Sequence, residues 1–200
     1  GLKWIMKLKK YDLHRHSGHF IIKKGYSAKN IADILNAGIQ TPVKVIINST
    51  RTTEQIAASI SSQLMLDSAT IASKLNDMDY LKSKGFDKDN VFYLIIPNTY
   101  EFYWNVSIDG FIERIIKERD AFWNESRKEK AAKIGLSPEE VMTLASIIEE
   151  ETAKNDELPI VAGLYINRLK RGMLLQADPT VIYALGGERP KRVLKKHLET

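Results

Sequence analysis

The chain reads Leu-Ala-Ser-Ile-Ile-Glu-Glu-Glu-Thr at residues 144–152, and this stretch predicts an amphipathic helix that carries a carboxylate. At about 100° per residue, its apolar side chains fall on one side of the helix. Glu151 lies on that side, between Ile147 and Leu144. A carboxyl group on a buried helix face loses solvation, so its pKa rises and it can hold a proton near neutral pH. From this periodicity alone, a buried salt-bridge partner or a residue at the rim of the apolar stripe is the favoured interpretation, and a general acid is the alternative.

Three other motifs accompany this helix. The chain carries INRLKRGM at residues 166–173, LQADPTVIYALG at 175–186 and FYLIIPNTYEFYW at 92–104. In this order and spacing the motifs closely resemble the endolytic murein transglycosylase family, the YceG-like proteins. The resemblance is dense over residues 142–186 and looser over 92–104 and 18–38, so it covers most of the chain.

The resemblance implies an activity and a catalytic residue. Such enzymes cut the β-1,4 bond between N-acetylmuramic acid and N-acetylglucosamine in peptidoglycan strands and leave a 1,6-anhydro end. The family's catalytic group is the second Glu of a Glu-x-Glu-Thr motif, which falls on Glu151, with Thr152 next. Glu151 would first protonate the glycosidic oxygen and then act as base towards the muramic acid 6-hydroxyl. The resemblance implies no cofactor and no metal, and its expected partners are peptidoglycan strands and, as a further candidate, the cell-wall synthesis machinery.

Two other functions remain open from the sequence. A non-catalytic peptidoglycan-binding or scaffold protein would use Glu151 as a structural carboxylate. A hydrolytic muramidase would need a second carboxylate or a positioned water. Mass spectrometry of the products distinguishes these functions. A lytic transglycosylase leaves anhydro ends, a binding or scaffold protein leaves the strands unchanged, and a hydrolytic muramidase leaves reducing ends.

Polar residues of the matched motifs are candidates to line a sugar cleft. They are Asn167, Gln176, Asp178, Thr180 and Tyr183. Amide side chains suit the hydroxyl and acetamido groups of glycans because they offer both donors and acceptors. Asp178 precedes Pro179, which also fits an N-cap followed by a proline at the first helical position. Arg168 either pairs with a helix carboxylate or meets an anionic muropeptide.

Composition bounds the remaining function classes. The chain has 200 residues, of which 44% are hydrophobic, and no cysteine, so disulfides and thiolate metal sites are excluded. It contains no run of 18 apolar residues and no visible signal peptide. The family normally has one transmembrane anchor ahead of an extracytoplasmic body. We therefore expect a trimmed piece of a single-pass protein of the cytoplasmic membrane, with its enzymatic part on the periplasmic side.

The charge distribution and the histidines indicate binding partners and metal sites less clearly than the motifs indicate the activity. The net charge is +5, with basic clusters within residues 1–30 and at 189–196. No nucleic-acid motif accompanies these clusters, so nucleic acid is not an expected partner; anionic lipid, anionic wall polymer or a solvated face are the interpretations. His14, His16 and His19 lack a nearby cysteine or paired carboxylate, so no metal site is predicted.

The predicted fold is α+β, with a small LysM-like strand and helix module at residues 1–49 and a mostly helical catalytic region at 50–200. The module consists of a strand at 20–23, a helix at 28–36 between Ser27 and Gly38, and a strand at 43–47. The resemblance implies that the module is trimmed at its start. The family's downstream Asn-Thr-Tyr and Gly-Leu-Pro-Pro-Gly motifs are absent, which implies a catalytic region that is incomplete at its end.

The second region is predicted to be mainly helical. Helices are expected after Thr52, at 68–75, from Ser107 to Gly135, after Ser137, at 158–171 and at 179–185. A buried strand or extended segment is expected at 91–96. The aromatic residues that follow it, at 100–104, favour core packing over sugar stacking.

Overall fold

The computed structural model describes residues 1–11, 17–87 and 90–185. These residues are mostly helical and contain one two-stranded antiparallel sheet, so the predicted α+β class is confirmed. The helices are α1 (Leu2–Leu8), α2 (Ala28–Ala37), α3 (Thr53–Ser61), α4 (Ser68–Leu75), α5 (Met78–Ser83), α6 (Ile108–Phe122), α7 (Glu125–Ile134), α8 (Pro138–Glu151), α9 (Leu158–Lys170) and α10 (Asp178–Ala184). The strands are β1 (Val43–Ile47) and β2 (Asn98–Phe102), and a 3₁₀ helix spans Val91–Leu94.

The chain packs as two compact units. The first comprises Gly1–Val91 and Ile95–Ile116, and the second comprises Phe92–Leu94 and Lys117–Thr200. Helix α6 contributes residues to both. The division into a glycan-binding module at 1–49 and a catalytic region at 50–200 concerns function and stays a prediction.

The first unit is built on the β1–β2 sheet. Val45 lies opposite Tyr100 in the antiparallel register, and both side chains are buried, as is Phe102. The ring of Phe102 stacks on Phe111 of α6 with 4.9 Å between centroids. Helix α3 packs on β1, α4 on α3, and α1 on α2. The aromatic residues at 100 and 102 are therefore core residues, as expected.

Gln63 closes one edge of strand β1. Its carboxamide oxygen accepts a hydrogen bond from the Ile46 backbone N–H at 2.8 Å, and its Nε2 donates to the Ile46 carbonyl at 2.9 Å. These two bonds copy the pairing that a neighbouring strand would make. Ile46 therefore has no backbone group left for a further strand.

The strand predicted at residues 20–23 is wrong. These residues are irregular, and the segment is held just before them by His19, whose carbonyl accepts from the Thr41 N–H at 2.8 Å. A strand forms only where an edge accepts it, and β1 is occupied by β2 and by Gln63. Since its first strand is not formed, the LysM-like description loses one of its three elements.

Helix starts follow their capping residues. Ser27 and Thr52 accept from the N–H three residues on, as predicted, and Gly38 ends α2 in a left-handed conformation. Ser137 and Glu140 form a capping box at the start of α8, in which the Ser137 N–H donates to Glu140 at 2.7 Å. These local signals confirm the predicted starts of α2, α3 and α8.

The single helix predicted from Ser107 to Gly135 is wrong, because it breaks into α6 and α7. Asn124 is the N-cap of α7, and its side chain accepts from the Arg127 N–H at 3.1 Å. Arg127 donates to the Phe122 carbonyl at 2.7 Å and its guanidinium lies 4.1 Å from the centre of the Phe122 ring. The Asn124 cap and the contacts of Arg127 with Phe122 stabilise this break more than a continuous helix would be stabilised by its backbone hydrogen bonds.

The segment after residue 90 also departs from expectation. Val91–Leu94 is a 3₁₀ helix rather than a strand. When every residue of a short segment is apolar, the spacing of apolar residues cannot distinguish a strand from a helix. His14, His16 and the basic cluster at 189–196 lie outside the described residues.

Helix α8 is the centre of the second unit. It packs against α7, α9 and α10. The buried core between them consists of Leu144, Ile148, Tyr165 and Ala177. Among the described residues, no helix has both the length and the apolar composition needed to cross a membrane.

Candidate active site

Glu151 is the last residue of α8, and its side chain is exposed. The prediction that it lies on the buried face is therefore wrong. Helix α8 ends here because Thr152 adopts an extended conformation, so no further helical turn covers Glu151. The buried face is instead formed by Leu144 and Ile148. The apolar face therefore does not cover this carboxylate, and the side chain is accessible to a large substrate.

Tyr165 of α9 brings a buried hydroxyl to this carboxylate. Its side chain is 4% exposed and packs in the core with Leu144 and Ile148. Burial raises the pKa of Tyr165, and the negative charge of Glu151 and a hydrogen bond with it raise this pKa further. The phenol therefore stays protonated at neutral pH and serves as a donor towards Glu151. Asp178 raises the same pKa and Arg168 lowers it, so both also lie near this hydroxyl.

Thr152 shapes the turn that follows α8. Its hydroxyl donates to Glu157 Oε2 at 2.7 Å and accepts from the Lys154 N–H at 3.1 Å. The Lys154 ammonium bonds the other oxygen of Glu157 at 2.8 Å. Hydrogen bonds from Lys154 and then Thr152 lower the pKa of Glu157. The threonine of the motif therefore fixes the chain direction directly after Glu151.

Arg168 holds the loop between α9 and α10. Its Nε donates to the Leu174 carbonyl at 2.8 Å, and its Nη2 donates to Gln176 Oε1 at 2.6 Å. Arg168 thus bonds an amide oxygen and a backbone carbonyl and forms no ion pair with a helix carboxylate among the described residues, while a contact with an anionic muropeptide stays a prediction. Gln176 is exposed and has a backbone φ of 54°, in the left-handed region.

Asp178 does not cap α10. The N-cap residue is Ala177, Asp178 is the first helical residue, and its side chain makes no capping bond. The interpretation of Asp178 as an N-cap is therefore wrong, and its exposed carboxylate does not serve as a helix cap. Thr180 is half-buried, and its hydroxyl donates to the Ala177 carbonyl at 2.7 Å, which closes the first turn of the helix.

The structure brings together part of the predicted set. Glu151 and Asp178 both raise the pKa of Tyr165, and Gln176 is hydrogen-bonded to Arg168, whose charge lowers that pKa. Asn167 and Tyr183 are exposed on α9 and α10, and within the described ranges no hydrogen bond ties either side chain to this group.

Tyr165 is the residue that sequence reasoning missed. The signal was present, because a tyrosine within the apolar run of α9 needs a polar partner for its hydroxyl. Identifying that partner requires the packing of α9 on α8. No group of three or more potential metal-ligating side chains occurs in residues 1–11, 17–87 and 90–185.

The fold and the site define a mostly helical α+β protein that presents a carboxylate at a helix end. The chain belongs to the YceG-like family, whose model matches residues 1–200. It is 29% identical over 199 residues to the endolytic murein transglycosylase of Bacillus subtilis, covering 92% of this chain and 55% of that protein. It is 30% identical over 95 residues to the endolytic murein transglycosylase of Streptococcus pneumoniae strain R6, covering 46% and 16%.

A solved structure resembles the fold as well. The crystal structure of a YceG-like protein from Listeria monocytogenes matches with a TM-score of 0.64 and 27% sequence identity, covering 87% of this chain and 62% of that one. The chain thus spans about half the length of the Bacillus relative and less of the Streptococcus relative.

Proposed function

We propose that this chain belongs to an endolytic lytic transglycosylase that cleaves the bond between N-acetylmuramic acid and N-acetylglucosamine in peptidoglycan strands. The observation that carries the proposal is the exposed Glu151 carboxyl group beside the buried, protonated Tyr165 hydroxyl. The relatives named endolytic murein transglycosylase support the same activity.

The proposed reaction consumes no water. Glu151 in its acid form donates a proton to the glycosidic oxygen while the bond from the muramic acid C1 to that oxygen breaks. The resulting Glu151 carboxylate then removes the proton from the muramic acid 6-hydroxyl, whose oxygen forms the new bond to C1. The products are a 1,6-anhydro end and a free hydroxyl on the leaving sugar, and Glu151 regains its proton. Because the attacking hydroxyl is already attached to the sugar, a second catalytic carboxylate is not required.

Tyr165 assists the first half of this cycle, in which Glu151 loses its proton and becomes a carboxylate. A hydroxyl that donates to a carboxylate stabilises its ionised form and restricts its orientation. The Tyr165 ring is fixed in the core, so its hydroxyl gives Glu151 a defined partner at the otherwise open end of α8.

The proposal also covers the residues that bind the sugar and the cellular localisation of the protein. Asn167, Gln176, Asp178, Thr180 and Tyr183 are the proposed sugar-binding residues. Residues 1–49 are proposed to bind glycan, with α2 and β1 as the elements available for it. The full-length protein is proposed to be anchored in the cytoplasmic membrane and to act on the extracytoplasmic side, with the cell-wall synthesis machinery as a candidate partner.

The test uses full-length protein on purified sacculi, with mass spectrometry of the released muropeptides. The parent is expected to yield 1,6-anhydro ends, and Glu151→Gln is expected to yield at least about a thousandfold less, since the only acid and base is removed. Glu149→Gln, two residues away on the same exposed helix end, is the matched control and is expected to keep full activity.

Other outcomes would redirect the proposal. Reducing ends in place of anhydro ends would indicate a hydrolytic muramidase, and unchanged strands that still bind the protein would indicate a scaffold. Loss of activity in Glu149→Gln, with Glu151→Gln active, would move the site to the neighbouring carboxylate.

A further inference from the structure

The guanidinium of Arg168 bonds the loop between α9 and α10 at two points. Its two N–H groups reach the Leu174 carbonyl and the Gln176 side chain oxygen at 2.8 and 2.6 Å. The planar fork of an arginine joins such a pair in one fixed geometry, which a lysine ammonium cannot reproduce.

Gln176 is also held by its backbone. Its φ of 54° is uncommon for a residue other than glycine and persists only where the surroundings impose it. The next residue, Ala177, is 2% exposed and belongs to the core with Leu144 and Tyr165. The side chain of Gln176 is therefore fixed by Arg168 and its backbone by the buried Ala177.

This arrangement decides which end of the carboxamide faces solvent. A carboxamide has one acceptor oxygen and an NH₂ with two donors, whereas a guanidinium has donors only. Since Arg168 bonds the oxygen, reversing the carboxamide would set donors against donors. The exposed Gln176 therefore presents its NH₂, and the matching ligand group is an acceptor.

We infer that Arg168 is a positioning residue that makes Gln176 a donor to the acetamido carbonyl oxygen of an N-acetyl sugar. The inference rests on the proposed function for the choice of a glycan as ligand. An amide carbonyl only accepts, whereas a hydroxyl both donates and accepts and would bind either orientation of the carboxamide. Gln176, Arg168, Tyr165 and the candidate catalytic carboxylate of Glu151 all belong to the second unit.

Binding measurements test the inference without requiring catalysis. Calorimetry compares β-1,4-linked N-acetylglucosamine oligomers with glucose oligomers of the same linkage and length, which are also neutral but lack the acetamido group. The wild-type full-length protein is expected to prefer the N-acetylated oligomer about fivefold to tenfold, as one neutral hydrogen bond provides. Gln176→Leu is expected to lose that preference, and Arg171→Lys, at the exposed end of α9, is the matched control that keeps it.

A double-mutant cycle tests the positioning role. Arg168→Lys is expected to reduce the preference in the wild-type background and to leave it unchanged in the Gln176→Leu background. In NMR spectra of the wild-type protein, the Gln176 side-chain NH₂ signals are expected to shift with the N-acetylated oligomer and not with the glucose oligomer.

Three results would overturn the inference. They are equal binding of the two oligomers by the wild type, a preference retained in Gln176→Leu, and an additional effect of Arg168→Lys when Gln176 is absent. Binding preference without strand cleavage would instead remove the proposed function and leave the role of Gln176 supported.

Discussion

Tyr165→Phe separates the hydroxyl of Tyr165 from its packing. The ring is 4% exposed among Leu144, Ile148 and Ala177, and phenylalanine retains these contacts. The lost group is a donor to an ionised carboxylate, which is worth about 1.5–3 kcal/mol when buried. Because Glu151 is exposed, solvent screening reduces this to about 1 kcal/mol. At 1.36 kcal/mol per factor of ten, kcat for anhydro-muropeptide release is expected to fall about fivefold.

The same variant has a signature in stability against pH. The pKa of Tyr165 is raised in the folded protein, so the phenol ionises in the unfolded chain first, from its ordinary value of 10.0. The contribution of the protonated phenol to the free energy of unfolding is therefore complete below pH 10 and is lost as the pH rises through the pKa of Tyr165 in the folded protein. Urea unfolding should show the wild type losing stability above pH 10 more steeply than Tyr165→Phe.

The control for both measurements is Tyr103→Phe, which changes an exposed tyrosine directly after β2 in the first unit. It should leave kcat and the alkaline slope unchanged. An unchanged kcat in a folded Tyr165→Phe protein would refute the assistance to Glu151. An alkaline slope equal to that of the wild type would refute the burial of the hydroxyl.

Three further predictions concern stability. Ser137→Ala removes one half of the capping box of α8 and should lower the free energy of unfolding in urea by about 1 kcal/mol, with Ser146→Ala in the middle of α8 costing less. Gly135→Ala places a side chain at a φ of 78° with open space around it, so the cost of about 1–2 kcal/mol comes from the backbone alone, measurable as a lower Tm. Burial and then Asp109 raise the pKa of Tyr80 to about 12, so Tyr80→Phe should gain stability relative to wild type between pH 10 and 12, on the order of 1 kcal/mol after solvent screening. A wild-type curve parallel to that of Tyr80→Phe over this range would contradict the last of these.

Features set by neighbouring residues in the chain were predictable. The capping box at Ser137 needs only a serine, a proline and a glutamate at fixed spacing, and it located the start of α8. Gly38 and Gly135 end helices with a left-handed conformation that depends on the absence of a side chain. Such signals act over one turn, so tertiary packing does not override them here.

Features set by distant partners were not predictable. The segment at 20–23 has the composition of a strand, but the edge of β1 that a strand would need is occupied by Gln63. The helix predicted to run from Ser107 to Gly135 ends at Phe122, because Asn124 caps a new helix there. In both cases a local pattern was correct and a competing contact decided the conformation.

The candidate site shows the same division. Motif resemblance predicted Glu151 as the catalytic residue. The periodicity of α8 placed its side chain on the buried face, whereas it is exposed, because periodicity alone does not reveal where a helix ends. The bond from Arg168 to Gln176 spans a loop, and the approach of Tyr165 to Glu151 joins two helices. Neither contact has a signature in residue spacing.

The two bonds from Gln63 to Ile46 bear on self-association. A short sheet with an open rim can recruit strands from other molecules and polymerise. Here the Gln63 side chain, from the turn that follows α3, occupies the backbone groups of Ile46 that such a strand would need. Gln63 thereby removes one residue of the outer edge of β1 from pairing with another molecule.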